Sequence, residues 1–113
     1  MSSIVERVAN AYQAYQAGDA DSAGNICADV VRQQPNNADA AYLLAVIAQE
    51  RGQFDQALGL LRQVVLLAPE NAVYCNALGE LLFNCGQAAE AKTWFEKSAT
   101  LRPAYERAHN NLG

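Results

Sequence analysis

The chain has 113 residues, 51% of them hydrophobic and 18% charged, which is apolar enough to close a core and argues against a disordered segment. Eight basic against twelve acidic side chains leave a net charge of −4, without the basic footprint of a nucleic-acid binder. There is no apolar run of roughly eighteen residues to cross a membrane, and the polar start through Glu6 and Arg7 is unlike a signal peptide, so the expectation is a soluble, cytoplasmic chain.

Pro35, Pro69 and Pro103 are evenly spaced, and Gly18, Gly52 and Gly86 keep the same step, as do Ala23, Ala57 and Ala91. A fourth series, Ala11, Ala45, Gly79 and Gly113, is small at every step. One period shared by four series marks a repeat architecture, here 4–37, 38–71 and 72–105, with a lead of 1–3 and a stub of 106–113.

Taken in chain order, Ser3-Ile4-Val5-Glu6 reads as a capping box opening the first helix. That helix A covers about fourteen positions, roughly four turns, and stops at Gly18, where a left-handed residue carries no Cβ penalty. Helix B starts from Asp19 and ends at Gln34, because a residue before proline is pushed away from helical angles. Asn37 then caps the second helix A, Gly52 ends it, and helix B restarts at Asp55 and stops at Ala68. Asn71 caps the third helix A, Gly86 ends it, and the last helix B runs from Gln87 to Arg102. Alanine, with 22 copies, supplies the helical propensity throughout.

The small series have a packing reason. Helices joined by a tight turn approach to about 8–10 Å, so Ala45 is expected to face Ala57, and Gly79 to face Ala91. Leu44, Leu61, Val64 and Leu67, then Leu78, Leu82, Phe95 and Leu101, are expected to fill the space between repeats. A helix of about fourteen residues is marginal alone in water, so stacking supplies the stability. Gly24 and Gly59 fall inside helix B, where each costs up to about 1 kcal/mol against alanine.

The remaining chemistry-bearing residues carry no catalytic pattern. Cys27, Cys75 and Cys85 are odd in number and lie at no metal-ligand spacing, so they read as buried, reduced thiols. His109 is the sole histidine, and no Cys-His pair, paired carboxylates, phosphate-binding glycine loop or metal set accompanies it. Trp94 reads as a packing residue beside Phe95. The expectation is a non-enzyme with no metal and no cofactor.

The third repeat, with Cys75-x₂-Leu78-Gly79-x₂-Leu82, Ala91-x₃-Phe95 and Pro103, resembles the tetratricopeptide repeat. That pattern is W-x₂-L-G-x₂-Y, A-x₃-F and P over about 34 residues. The second repeat follows with Ala41, Leu44, Ala45, Ala48, Ala57, Leu61 and Pro69. The first is degenerate, with Arg7 and Asn10 at apolar positions and Cys27 at the aromatic one. The stub from Ala108 to Gly113 is similar to the opening of a fourth repeat. The resemblance implies an all-α fold, a single domain over 1–113 built as a right-handed α-α superhelix of three helix-turn-helix repeats plus the start of a fourth. With no polar capping helix after the stub, the chain reads as a fragment of a longer protein. Its uncapped C-terminal end is expected to expose apolar surface and to support self-association.

In such a superhelix the A helices form a concave wall that holds an extended peptide or a helix. Spacings of three and four put Val5, Val8, Tyr12, Tyr15 and Gln16 on that wall in the first repeat. Asp39, Tyr42, Val46, Gln49 and Glu50 follow in the second, and Val73, Asn76, Glu80, Phe83 and Asn84 in the third. Arg107 and Asn110 continue it in the stub. Tyr12, Tyr42 and Phe83 stand out as aromatic anchors, and Asp39, Glu50 and Glu80 hint at a ligand with positive charge. The partner is a protein or peptide of unknown identity, with no nucleic acid and no membrane. The alternatives are the N-terminal arm of a larger glycosyltransferase- or sulfotransferase-type enzyme recruiting its substrate, and a self-assembling structural array. The carboxylate clamp of tetratricopeptide co-chaperones requires basic and amide donors where this chain has Val8, Tyr12, Leu43, Val73 and Ala77. The asparagine ladder of O-GlcNAc transferase-like arms is matched by Asn111 alone, against Ala9, Leu43 and Ala77.

Overall fold

A computed structural model describes residues 3–112; the lead residues Met1 and Ser2, and Gly113 of the small series, lie outside the described residues. Among the described residues the secondary structure is entirely helical: α1 (Ile4–Gln16), α2 (Ala20–Gln33), α3 (Ala38–Glu50), α4 (Phe54–Leu67), α5 (Ala72–Asn84), α6 (Ala88–Leu101) and α7 (Glu106–Leu112). The odd-numbered helices are the A helices of the repeat and α2, α4 and α6 are the B helices. All three prolines sit in the turns between a B helix and the next A helix.

Local chemistry sets the helix ends. Gly18, Gly52 and Gly86 have φ of 89°, 76° and 84°, the left-handed region where a Cβ is penalised. Each terminates an A helix in the same Schellman pattern. The residue after each glycine donates its N–H back to a helix carbonyl: Asp19 to Ala14 at 2.8 Å, Gln53 to Ala48 at 2.9 Å, and Gln87 to Leu82 at 2.9 Å. At the other end, the side chains of Ser3, Asp19, Asn37 and Asn71 accept from the N–H of Glu6, Ser22, Ala40 and Tyr74, at 3.0–3.1 Å. Replacing Asn71 by alanine is therefore expected to lower stability by about 0.5–2 kcal/mol, read as a lower urea midpoint with unchanged slope. One expected start differs. The second helix B begins at Phe54, with Asp55 inside its first turn, because the Schellman pattern places Gln53 at the position that Asp19 and Gln87 occupy. Gln87 makes no side-chain cap bond, since its longer side chain does not reproduce the short reach of Asp or Asn.

The chain forms two compact units, Met1–Leu60 and Leu61–Gly113, divided within α4. In the first, Val8, Ala11, Ala23, Cys27, Val30, Ala40, Leu43 and Ile47 form a core drawn from α1, α2 and α3. Burial pushes the Cys27 thiol up to about 11, as befits an inert buried thiol. Arg7 bridges to Asp29 across α1 and α2, and Arg51 bridges to Asp21. In the second unit, Leu78, Leu81, Leu82, Ala91 and Phe95 are buried. There Gly79 lets α5 and α6 meet. A Cβ on Gly79 would lie 2.5 and 2.6 Å from the Phe95 ring and 3.2 Å from the Ala91 carbonyl oxygen. Buried Ser98 closes the other end of this seam, its hydroxyl donating to the Ala72 carbonyl at 2.6 Å.

Three packing expectations need correction. Leu67 and Leu101 are each 37% exposed; each is the last residue of its B helix, with no further helical turn beyond it. Leu44 is half-buried rather than fully enclosed. Cys85 is exposed, because it is the C-cap of α5, one residue past the face that α6 covers.

Candidate functional site

The A helices touch one another through polar bridges, and these bridges decide which wall residues remain open. In the first unit, Tyr12 on α1 donates its hydroxyl to the Asp39 carbonyl oxygen on α3 at 3.0 Å, and Tyr15 donates to the Glu50 carboxylate. In the second, Glu80 on α5 takes Arg107 of α7 with both carboxylate oxygens, Oε1 to Nε and Oε2 to Nη2, each at 2.8 Å. The two units use one register. Tyr12 and Glu80 are equivalent positions two periods apart, and so are Asp39 and Arg107. The ninth position of an A helix therefore meets the second position of the next one. In one unit the link is a neutral hydrogen bond and in the other a bidentate ion pair.

Asn76 extends the second bridge. It is buried, and both ends of its amide are satisfied. Its Nδ2 donates to Glu80 Oε1 at 2.6 Å and its Oδ1 accepts from Asn111 Nδ2 at 3.0 Å. A buried amide costs little when both ends are paired and several kcal/mol when they are not. The chain Asn111–Asn76–Glu80–Arg107 thus fixes how α7 lies on α5.

Beside this network is a cavity of about 310 Å³ lined by Glu80, Phe83, Asn84, Phe95, Asn110 and Asn111. The wall pattern places four of these together: Glu80, Phe83, Asn84 and Asn110. Phe95 and Asn111 complete it, although the sequence marks them only as a core residue and a ladder position. The signal that could have found Phe95 is Gly79, because a missing side chain on α5 makes room for a ring from α6.

Other wall residues are placed differently. Val8 belongs to the first core, drawn from α1, α2 and α3, and it serves folding. Val5, Gln16, Asp39, Glu50, Arg107 and Asn110 are exposed, and Tyr12, Tyr15, Tyr42, Val46, Gln49 and Val73 are half-buried. Phe83 is 61% exposed and is the wall aromatic most open to a ligand. Of the acids expected to draw a positive ligand, Glu80 is neutralised by Arg107 and Glu50 is engaged by Tyr15. His109 is exposed, with Nε2 2.6 Å from the Pro103 carbonyl oxygen. On α6, half-buried Trp94 lies with its indole N–H 3.4 Å from Glu90 and under the Lys97 ammonium at 5.3 Å. Glu90 itself is held by Arg62 through two hydrogen bonds of 2.7 and 3.1 Å. Among the described residues no group of His, Cys, Asp and Glu is arranged to hold a metal, and no helix is long and apolar enough to cross a membrane.

The tyrosine bridges give a pH signature. The Tyr15 phenol is pushed up to about 12, first by its hydrogen bond to Glu50 and then by burial. Tyr12 is raised further, chiefly by burial and then by the Asp39 charge. A phenol raised on folding stabilises fully below its ordinary pKa of 10.0 and loses that contribution as pH rises through the folded value. The stability difference between wild type and Tyr15→Phe is therefore expected to hold up to about pH 10 and to shrink between there and about pH 12. Denaturant titrations of both proteins across that range check it, and a difference that does not change with pH would contradict it.

A profile of the tetratricopeptide repeat matches residues 14–74 and 48–112. Protein FlbA of Caulobacter vibrioides is 32% identical over 78 residues, which is 69% of this chain and 13% of FlbA. A mutant O-GlcNAc transferase of Thermobaculum terrenum is similar in structure, with a TM-score of 0.90 and 32% identity over 99% of this chain and 22% of the transferase. The first tetratricopeptide repeat domain of Spaghetti, solved with an HSP90 peptide, gives a TM-score of 0.89 at 19% identity, over 96% of this chain and 86% of that one. At that identity the likeness is one of fold. The chain therefore spans a small part of FlbA and of the transferase. The repeating helical hairpins, their constant period and a profile match extending from residue 14 to residue 112 agree: the chain belongs to the tetratricopeptide repeat family.

Proposed function

We propose that this chain is a non-catalytic protein-interaction module that binds a peptide or protein segment against its A helices. Phe83 carries this reading. A large ring standing 61% exposed contributes little to the core, yet it sits at the rim of a cavity whose other open groups are amides. Aromatic anchors in partly enclosed, polar-rimmed sites are where interface energy concentrates. The likeness in fold to a domain solved with a bound HSP90 peptide supports a peptide as the class of ligand. The carboxylate-clamp chemistry is not carried over, because the corresponding positions here are Val8, Tyr12, Leu43, Val73 and Ala77. None of the three cysteines is in a disulfide, which suits a reducing compartment, and the reading places the chain in the cytoplasm.

Panning a random peptide-display library against the chain tests the proposal. Enrichment of peptides whose binding falls with Phe83→Ala is the expected result. Binders that ignore both Phe83 and Tyr42 would move the site off the A helices.

One observation favours a second reading, the substrate-recruiting arm of a larger enzyme: the 32% identity to the O-GlcNAc transferase extends over 99% of this chain. Against it, Asn111 alone stands at the ladder position, and its amide is hydrogen-bonded to Asn76. If the arm reading holds, deleting residues 1–113 from a longer natural protein raises KM for a protein acceptor and leaves turnover of a small acceptor unchanged.

A further inference from the structure

We infer that the cavity between α5, α6 and α7 is a subsite for one uncharged, apolar side chain, aromatic or branched aliphatic, on a partner's peptide. The inference rests on the proposed peptide-binding role and specifies what the peptide carries.

The floor comes from packing. Because Gly79 has no Cβ, the Phe95 ring lies down on α5; the added carbon would fall 2.5 Å from the ring. Phe95 is buried from solvent yet borders the cavity, which makes the floor apolar. The wall is Phe83, whose exposed ring returns hydrophobic free energy only when something apolar covers it.

Charge selects the occupant. Both oxygens of Glu80 are taken by Arg107, and Oε1 also accepts from Asn76. The one carboxylate lining the cavity is thus compensated, and neither a lysine nor a carboxylate gains an uncompensated charge of opposite sign by entering. Burying an unpaired charge there would be costly. The other polar lining groups, Asn84, Asn110 and Asn111, are neutral amides. Size narrows the choice further. At about 310 Å³ the cavity lies at the lower end of the roughly 300–1,000 Å³ typical of ligand sites. That is room for one side chain and its immediate backbone, and too little for a helix.

The test uses single-residue probes followed by two-dimensional NMR of the isotope-labelled chain: N-acetyl-phenylalaninamide, N-acetyl-leucinamide and N-acetyl-lysinamide. The phenylalanine and leucine probes are expected to shift the side-chain amide signals of Asn84, Asn110 and Asn111, and the lysine probe to leave them in place at equal concentration. Phe83→Ala should weaken the effect by about tenfold, the equivalent of one lost apolar contact, with an unchanged thermal midpoint. Equal shifts from lysine, no shifts from any probe, or shifts indifferent to Phe83→Ala overturn the inference. If the same signals move with protein concentration before any probe is added, and Phe83→Ala abolishes that movement, a second copy fills the cavity and the inference fails. Because the probes are not peptides, their failure leaves display-selected peptide binding standing. Conversely, a failed display selection leaves a positive probe result standing.

Discussion

Replacing Phe95 by alanine should lower unfolding free energy by about 3–5 kcal/mol, the range for truncating a buried aromatic side chain. The ring is almost fully enclosed, lies against the Gly79 backbone and joins α6 to α5. Its removal leaves a void that rigid helices on both sides close only in part. A domain of this size has roughly 5–15 kcal/mol in total, so the variant should sit close to unfolding at room temperature. Urea titration followed by circular dichroism reads the effect directly. A loss below about 1 kcal/mol, the level of an ordinary surface change, would mean that α5 and α6 are not sealed by this ring. The same variant should abolish probe binding in the cavity, because its floor is gone.

A pair of glycine substitutions should give effects of opposite sign. By helix propensity alone, Gly79→Ala and Gly59→Ala are both improvements, each worth up to about 1 kcal/mol. Space separates them. Nothing lies within 4 Å of a Cβ built on Gly59, which is exposed on α4, whereas the same atom on Gly79 runs into the Phe95 ring. Gly59→Ala should therefore stabilise by about 0.4–1 kcal/mol. Gly79→Ala should destabilise by about 1–3 kcal/mol, the cost of overpacking a closed seam. Thermal melts of the two variants beside wild type check this. If both stabilise, the close approach of α5 and α6 is wrong; if both destabilise, α4 is covered where it is described as open.

What can be read from residues alone follows the range of the forces involved. Helix ends depend on a few neighbouring atoms: a glycine free to adopt positive φ, an Asn or Asp within reach of a backbone N–H, a proline that stops the helix before it. Those signals recur in every repeat, so the hairpins are legible and even the caps at Ser3, Asn37 and Asn71 are visible. Asp55 suggests the start of the second helix B because an acid inside the first turn resembles a cap, whereas the helix begins at Phe54.

The site is less legible because burial is decided by partners distant in sequence. Helical spacing puts Val8 and Phe83 on one kind of face, yet Val8 is enclosed in the core of α1, α2 and α3 and Phe83 stands open. Asn76 has the composition of a surface residue, but Glu80 and Asn111 satisfy both ends of its amide, which lets it go inside. Glu80 looks like free negative charge until Arg107 is placed beside it, whereas Glu50 gains only the neutral Tyr15 hydroxyl as a partner. The proposed preference for a neutral apolar side chain therefore concerns the cavity beside Glu80, where Arg107 supplies the counter-charge. Trp94 illustrates the converse. Its neighbours on α6, Glu90 and Lys97, occupy the indole N–H and the ring face, and the packing role expected of it gains those partners.

The central claim is that the A helices carry the binding surface. The most direct measurement is a crystal structure of the chain with a display-selected peptide. The account requires the peptide to lie on A-helix residues with an apolar side chain seated between Phe83 and Phe95. A peptide found instead on the outer face of α6, around Trp94 and Lys97, would contradict it.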